Sequence, residues 1–326
     1  MPRIFFSSTL TTPFIEEDAI ILQRHFAVEK LIARGIRAFP KISAAVSRSD
    51  VTFSWFGSVY AAYTVFLARV LGKKSIIVAG GVDASREPEI NYGIWLNPWK
   101  ARLVRYAFLH ADRVLVVDPA LEVSLRRLAE YGGENIRYAP TGYDGSRWTP
   151  GDRKEDVVVT VAACDNIRRM KTKGLDKLFE AARNLPAVRF RVIGIHEAFR
   201  RVILPDLPHN VEVIPFIARE EVLTHLQRAK VYCQPSFTEG LPNALCEAML
   251  CGCIPVGTLR GGIPSAIGNA GYLVPYGDVH ALVTAIRSAM QAPPEKGKEA
   301  RERILREFPL ERRERDLVET VNELMP

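Results

Sequence analysis

Short runs of β-branched and aromatic residues alternate with segments whose apolar positions recur at helical spacing, from one end of the chain to the other. The run "RIFFSS" reads as a first strand, and apolar residues at Ala19, Leu22, Phe26 and Ile32 then predict one helix from Glu16 to Arg34. After it come the strand "VTFSWF", a helix from Ser58 to Leu71, "KSIIVAG", a helix from Trp99 to His110, and "RVLVVD". A helix over about Leu121 to Glu130 and the strand "NIRYAP" close this half. The stretch "TGYDGSRWTPGDRKED" is rich in Gly, Pro and charge and breaks the pattern, as a linker does.

Alternation then restarts. "VVVTVAA", a helix from Gly174 to Asn184, "VRFRVIG", "NVEVIPF", a helix from Arg219 to Arg228 and "KVYCQPS" follow in turn. A helix from Pro242, the strand "CIPVGT" and a helix from Val279 to Met290 complete the series. Strand-helix alternation of this kind predicts an α/β chain with parallel sheets. Two tandem doubly wound, Rossmann-like domains are expected, over residues 1–148 and 149–308. The amphipathic tail "EFPLERRERDLVETVNELM" is expected to form a last helix, 309–326, packed back on the first domain. Such domains bind ligands at strand C-termini, here facing a central cleft.

Composition narrows the class. At 48% hydrophobic and 25% charged, 326 residues can fill two cores. The longest apolar segment, "SVYAAYTVFLARVLG", is shorter than a membrane span and contains Arg69. Five cysteines without disulfide-like density fit a reducing, cytoplasmic setting. Cys246, Cys251 and Cys253 lie close in sequence but lack a second Cys/His cluster, so they read as core rather than as metal ligands. The net charge of +7 is uneven: residues 1–150 hold 19 Lys and Arg against 14 Asp and Glu, the remainder 25 against 23. Arg24, Lys30, Arg34 and Arg37 follow one predicted helix, and Lys100, Arg102, Arg105 and Arg113 another. That pattern is read as a phosphate-bearing acceptor, as peripheral binding at the anionic inner face of a membrane, or as an ordinary solvated surface. No nucleic-acid motif accompanies it.

Candidate chemistry concentrates in "PSFTEGLPNALCEAMLCGCIPVGT", residues 235–258. Glu239 sits on the loop leaving a strand, Gly240 and Leu241 follow, and Pro242 suits the first position of a helix. The N–H groups of Asn243 and Ala244 are then unpaired at the positive end of the helix dipole, a site for phosphate or sugar hydroxyls. Glu247, just over a turn inside, offers a carboxylate plane that suits a ribose diol.

The stretch "EGLPNALCEAMLCGCIPVGTLRGGIP" resembles the donor-site signature of retaining GT-B glycosyltransferases, specifically glycosyltransferase family 4. The matching positions are Glu239, Glu247, Ala248, Met249, Cys251, Gly252, Pro255, Val256, Gly261, Gly262 and Pro264. Upstream, "IRRMKTKGLDKLFEAA" supplies Arg168, Lys173 and Gly174 where the family neutralises the donor diphosphate. Gly194 ends "RVIG", similar to the edge where the nucleotide base lies, and "APTGYDGSRWTP" is similar to the interdomain element, with Thr141 where asparagine is usual.

The resemblance implies a GT-B fold, a UDP-, GDP- or ADP-sugar as co-substrate without other cofactor, and transfer of a hexose-type sugar to a glycan, lipid-linked or small-molecule acceptor. It implies catalytic roles for Glu239, Arg168 and Lys173, and donor-binding roles for Gly174, Gly194, Gly240, Leu241, Pro242, Asn243, Ala244 and Glu247. No metal is expected, since the chain has no Asp-x-Asp pair and Arg168 and Lys173 supply positive charge. The first half departs from the family: the loop "SSTLTTPF" around Thr11 has no glycine pair, and Gly80 and Gly81 stand where a histidine is common. Asp83 is the substitute polar group considered for the acceptor side. Two alternatives remain: a nucleotide-sugar-binding scaffold, and a hexosamine-nucleotide epimerase, although the histidines of the first half, His25 and His110, fall in helical segments.

Overall fold

The computed structural model describes residues 1–325 and divides into two compact units. One comprises Met1–Gly142 together with the segment from Leu310 onward, the other Tyr143–Pro309. Each is a parallel sheet of six strands with helices between them.

In the first unit the strands are β1 (Arg3–Ser8), β2 (Ala27–Ile32), β3 (Val51–Trp55), β4 (Lys74–Ala79), β5 (Arg113–Val116) and β6 (Ile136–Tyr138). Their spatial order is β2-β1-β3-β4-β5-β6, so the chain reverses its direction of travel between β1 and β3. The connections are α1 (Pro13–His25), α2 (Ala38–Arg48), α3 (Val59–Val70), α4 (Pro98–His110) and α5 (Pro119–Ala129). Ser58, Asn97 and Asp118 start α3, α4 and α5 by accepting a backbone N–H on their side chains, which satisfies a donor the helix leaves orphaned.

The single helix expected over Glu16–Arg34 is not formed. Helix α1 stops at His25, and Ala27–Ile32 pairs with β1 along its whole length. This edge strand is largely exposed on both faces, so its residues carry no clean alternation, and Phe26 and Ile32 coincide with helical spacing by accident. Helix α2, also unanticipated, buries Ala38, Ile42, Ala45 and Val46 on one stripe.

The second unit contains β7 (Glu155–Cys164), β8 (Arg189–Ile195), β9 (Val211–Ile214), β10 (Ala229–Gln234), β11 (Ile254–Thr258) and β12 (Tyr272–Val274), ordered β12-β11-β10-β7-β8-β9. Taken from β7, this is the 3-2-1-4-5-6 dinucleotide-fold order, and the reversal falls between β7 and β10. Its helices are α6 (Ile167–Thr172), α7 (Leu175–Arg183), α8 (Glu197–Ile203), α9 (Arg219–Arg228), α10 (Asn243–Leu250), α11 (Ile263–Ile267), α12 (Val279–Gln291) and α13 (Glu295–Glu307). Cys233, Val231, Val256 and Val158 on the inner strands pack with Leu178, Ala182, Leu282 and Ile286 from the helices.

The charged tail forms two helices. Helix α13 ends before Phe308 and Pro309, and α14 (Leu310–Leu324) belongs to the first unit, where it packs on α1. Arg313, 1% exposed, donates through Nε and Nη2 to the two oxygens of buried Asp18 and through Nη1 to the Ala139 carbonyl. Trp55 Nε1 donates to the same carboxylate at 2.8 Å. Among the described residues, no helix is long and apolar enough to cross a membrane.

Candidate donor-binding site

The reversal point of the second unit places the loops after β7 and β10 side by side, and the two halves of the expected site meet there. Lys173 ends the loop region after β7, and its Nζ lies 2.7 Å from Glu239 Oε1 on the loop after β10. Ser236 Oγ donates to the same oxygen at 2.8 Å and Gln234 Nε2 at 3.1 Å. Three donors therefore fix Oε1, and among the described residues Oε2 has no protein hydrogen bond. Both side chains stay partly open, Lys173 at 29% and Glu239 at 16%.

The backbone around this pair is built from glycines that could not be otherwise. Gly174 has φ +64°, and a Cβ there would lie 1.9 Å from the Pro235 carbonyl oxygen. Gly261 has φ +52°, and its Cβ would fall 2.1 Å from the Glu239 carbonyl oxygen, which also accepts the Gly262 N–H. The two conformations let the β7, β10 and β11 loops close on one another, and Phe237 N–H to Thr172 O seals the contact.

Helix α10 starts one residue later than expected: Pro242 is the cap, with ψ 99°, and Asn243 is the first helical residue. Asn243 Oδ1 accepts from the Tyr143 hydroxyl at 3.0 Å, so the segment entering the unit holds the first turn of the helix. Among the described residues, no cap side chain engages the first N–H groups of α10. Gly240, Leu241 and Pro242 are buried, whereas Asn243 and Ala244 are partly open. Glu247 is 8% exposed and is bound by Arg219 Nη2 at 2.5 Å. Burial raises its pKa, and the Arg219 charge opposes that shift. Arg219 in turn lies over the Trp148 ring, 5.1 Å from its centroid.

Arg168 is exposed on α6, and among the described residues its guanidinium has no carboxylate partner, whereas neighbouring Arg169 is paired with Asp165. Gly194 lies near the end of β8 with φ +103°, where a Cβ would come within 2.9 Å of the Ala162 carbonyl oxygen. It thus lets β8 approach β7 closely.

The acceptor-side candidates belong to the other unit. Thr11 is exposed in the loop after β1. Asp83 is fully buried, and its carboxylate accepts the N–H groups of Gly57, Gly80 and Gly81 at 2.8, 3.1 and 2.9 Å. Burial nevertheless pushes its pKa up to about 6. Asp83 braces the Gly80-Gly81 loop.

Several residues at the site were not anticipated. Arg219 carries a signal that could have revealed it: a cation at the first position of a helix opposes the dipole and calls for a partner. Gln234, which ends β10, and Ser236, just after it, are polar residues following the run Val231–Cys233 and offer a second such signal. Arg260, exposed, lies 4.7 Å from the Phe237 ring centroid and had no sequence signal beyond its charge.

All five cysteines are buried thiols, and among the described residues no group of three His, Cys, Asp or Glu side chains is arranged to hold a metal ion. A cavity of about 830 Å³ opens at the opposite end of this sheet, at the starts of β7, β10 and β11. Its Lys154 and Arg301 are engaged with backbone carbonyls, including those of Leu226, Cys251, Trp148 and Leu250.

Two doubly wound units, the second with an ion pair and an uncapped helix at its reversal point, have the architecture of the GT-B fold. Structural neighbours agree on the fold. Sucrose-phosphate synthase from Thermosynechococcus elongatus superposes with a TM-score of 0.80 at 16% identity, covering 99% of both chains. Anabaena Alr3699/HepE in complex with UDP-glucose gives 0.79 at 15%, covering 99% of this chain and 100% of that one. Residues 156–292 match the family model for glycosyl transferases group 1. Over 289 residues the chain is 31% identical to WcaL of Escherichia coli (strain K12), named for a glycosyltransferase role in colanic acid biosynthesis, covering 80% of this chain and 67% of WcaL. Over 207 residues it is 30% identical to the D-inositol 3-phosphate glycosyltransferase of Mycobacterium sp. (strain KMS), covering 56% and 46%. The chain belongs to the glycosyl transferases group 1 family, and it spans about two thirds of the length of WcaL.

Proposed function

We propose that this glycosyltransferase moves a hexose-type sugar from a nucleotide sugar to a hydroxyl of a glycan, lipid-linked or small-molecule acceptor, with retention of configuration and without a metal ion. The observation that carries this reading is the Lys173–Glu239 pair beside the uncapped N-terminus of α10. The N–H groups of Asn243 and Ala244 receive the donor diphosphate, and Arg168 and Lys173 neutralise the charge that grows on its bridging oxygen as the bond to the sugar C1 breaks. Glu247, held by Arg219, takes the ribose diol, and Glu239 directs its second oxygen to a hydroxyl of the transferred sugar.

The acceptor oxygen bonds to C1 on the face the diphosphate leaves, and its proton passes to the departing phosphate oxygen. The products are the glycosylated acceptor and the nucleoside diphosphate. This same-face route asks for no carboxylate nucleophile. The UDP-glucose complex of Alr3699/HepE supports a UDP-sugar ahead of GDP- or ADP-sugars.

Incubation with a panel of UDP-, GDP- and ADP-sugars tests the proposal. Slow hydrolysis or transfer with retained anomeric configuration supports it. Isomerisation of the sugar nucleotide would identify an epimerase, and saturable binding without turnover a scaffold.

A further inference from the structure

We propose that the outer face of α3 and α4 in the first unit is a docking surface for an anionic lipid bilayer. The two helices pack on each other, and each exposes the same short pattern, an aromatic residue, an arginine three positions on and an aliphatic residue four positions on. On α3 these are Phe66, Arg69 and Val70; on α4 they are Trp99, Arg102 and Leu103. Spacings of three and four put each trio on one helix face. Arg69 Nη1 lies 2.7 Å from His110 Nδ1, so the C-terminal ends of the two helices are adjacent, with the α3 trio at that end and the α4 trio at the start of its helix. Trp99 is 54% exposed and Val70 65%.

The two helices themselves carry no acid. No Asp or Glu occurs between Asp50 and Asp83, or between Glu89 and Asp112. Lys73 and Lys100 add to Arg69 and Arg102, with the Lys100 ammonium 5.7 Å from the Trp99 ring centroid. The basic residues once expected to form a face with α1 are arranged differently. Lys30 lies on β2 and pairs with Glu16, and Arg24 pairs with Glu314. On α4, Arg105 donates to the Ala129 carbonyl, and just beyond it Arg113 is paired with Glu323. Arg34 and Arg37 stay exposed between β2 and α2, while Arg69, Lys73, Lys100 and Arg102, without carboxylate partners among the described residues, lie on or just after the helices from which the apolar side chains project.

That combination selects the occupant. Tryptophan at the headgroup level, aliphatic side chains just below it and flanking Lys and Arg are what an interfacial surface presents to anionic lipid. A nucleic acid would reward the cations but not Phe66, Val70 and Leu103. A second copy of the chain would set like charges against each other across a two-fold axis.

Intrinsic fluorescence supplies the reporter. Of the four tryptophans, Trp55, Trp95 and Trp148 are at most 8% exposed, so a change on lipid binding reads Trp99. With vesicles of phosphatidylcholine containing about a third phosphatidylglycerol, the full chain should co-sediment and its emission should shift to the blue. Both signals should weaken with added salt and be absent with phosphatidylcholine alone. Each cation near such a surface is worth about fivefold in affinity, so Arg69→Glu with Arg102→Glu should weaken binding by more than about a hundredfold. Should that variant fail to fold, Trp99→Ser and Phe66→Ser, at exposed positions, should still lose about tenfold. Absence of co-sedimentation at low salt, equal binding to neutral vesicles, or unchanged binding in these variants would overturn the proposal. So would duplex DNA that competes off all vesicle binding, or a salt-insensitive dimer that buries Trp99.

Discussion

The two units use carboxylates in opposite ways. In the first, Asp18 and Asp83 are buried and every oxygen of theirs is engaged, Asp18 by Arg313 and Trp55, Asp83 by three backbone N–H groups. In the second, Glu239 has three donors on one oxygen and, among the described residues, none on the other, and it remains partly open. A saturated carboxylate in the dark holds a fold together. One that is held firmly on one side and open on the other is positioned to act on something else. The sheets share their strand number and parallel sense, so the difference lies in what surrounds each carboxylate rather than in the sheet architecture.

The contrast can be broken by experiment, and the largest effect should come from the buried pair. Arg313→Ala leaves Asp18 charged and without its main partner in the core, at a cost of about 3–5 kcal/mol to the first unit. Denaturant unfolding followed at the buried Trp55 measures it. A loss below about 1 kcal/mol would mean that the pair does not secure α14.

Asp83 provides the next test. A carboxyl whose folded pKa is raised favours its neutral form, so its stabilising contribution is full below its unfolded pKa of 3.8 and is lost as pH rises through about 6. Asp83→Asn removes this titration. The stability of the native chain relative to the variant should therefore fall by up to about 3 kcal/mol between those values. A difference that is flat, or that rises with pH, would show that the three N–H donors outweigh burial.

Glu247 sharpens the comparison, because it too is buried, at 8% exposed against 2% for Asp18 and 0% for Asp83, yet lies in the candidate donor site. If it holds the ribose diol, Glu247→Ala should weaken binding of the free nucleoside diphosphate about tenfold by calorimetry, or about 1.4 kcal/mol. Unchanged affinity would place Glu247 with Asp18 and Asp83 as a structural group. The smallest expected effect is none at all: activity should survive EDTA, and loss restored by manganese or magnesium would contradict the metal-free reading.

What the sequence disclosed follows the same division. Buried strands such as Val51–Trp55 and Ala229–Gln234, and helices with an apolar stripe such as Val279–Gln291, announce themselves through local periodicity. The edge strand Ala27–Ile32 does not, since a strand exposed on both faces has no pattern to read. The Glu239–Glu247 signature and the Arg168, Lys173 and Gly174 group were legible because they are contiguous motifs. The contacts that complete them were not. Asp18 and Arg313 are 295 positions apart, Tyr143 and Asn243 are 100 apart, and no local rule couples such residues.

The role of Lys173 and Arg168 in easing the departure of the diphosphate is the central claim, and turnover at saturating donor tests it most directly. Lys173→Ala and Arg168→Ala should each lower kcat by about two orders of magnitude while KM for the nucleotide sugar changes little, because charge on the leaving diphosphate grows only in the transition state. Normal kcat with a raised KM would contradict the account, reducing both residues to groups that bind the donor without assisting its departure.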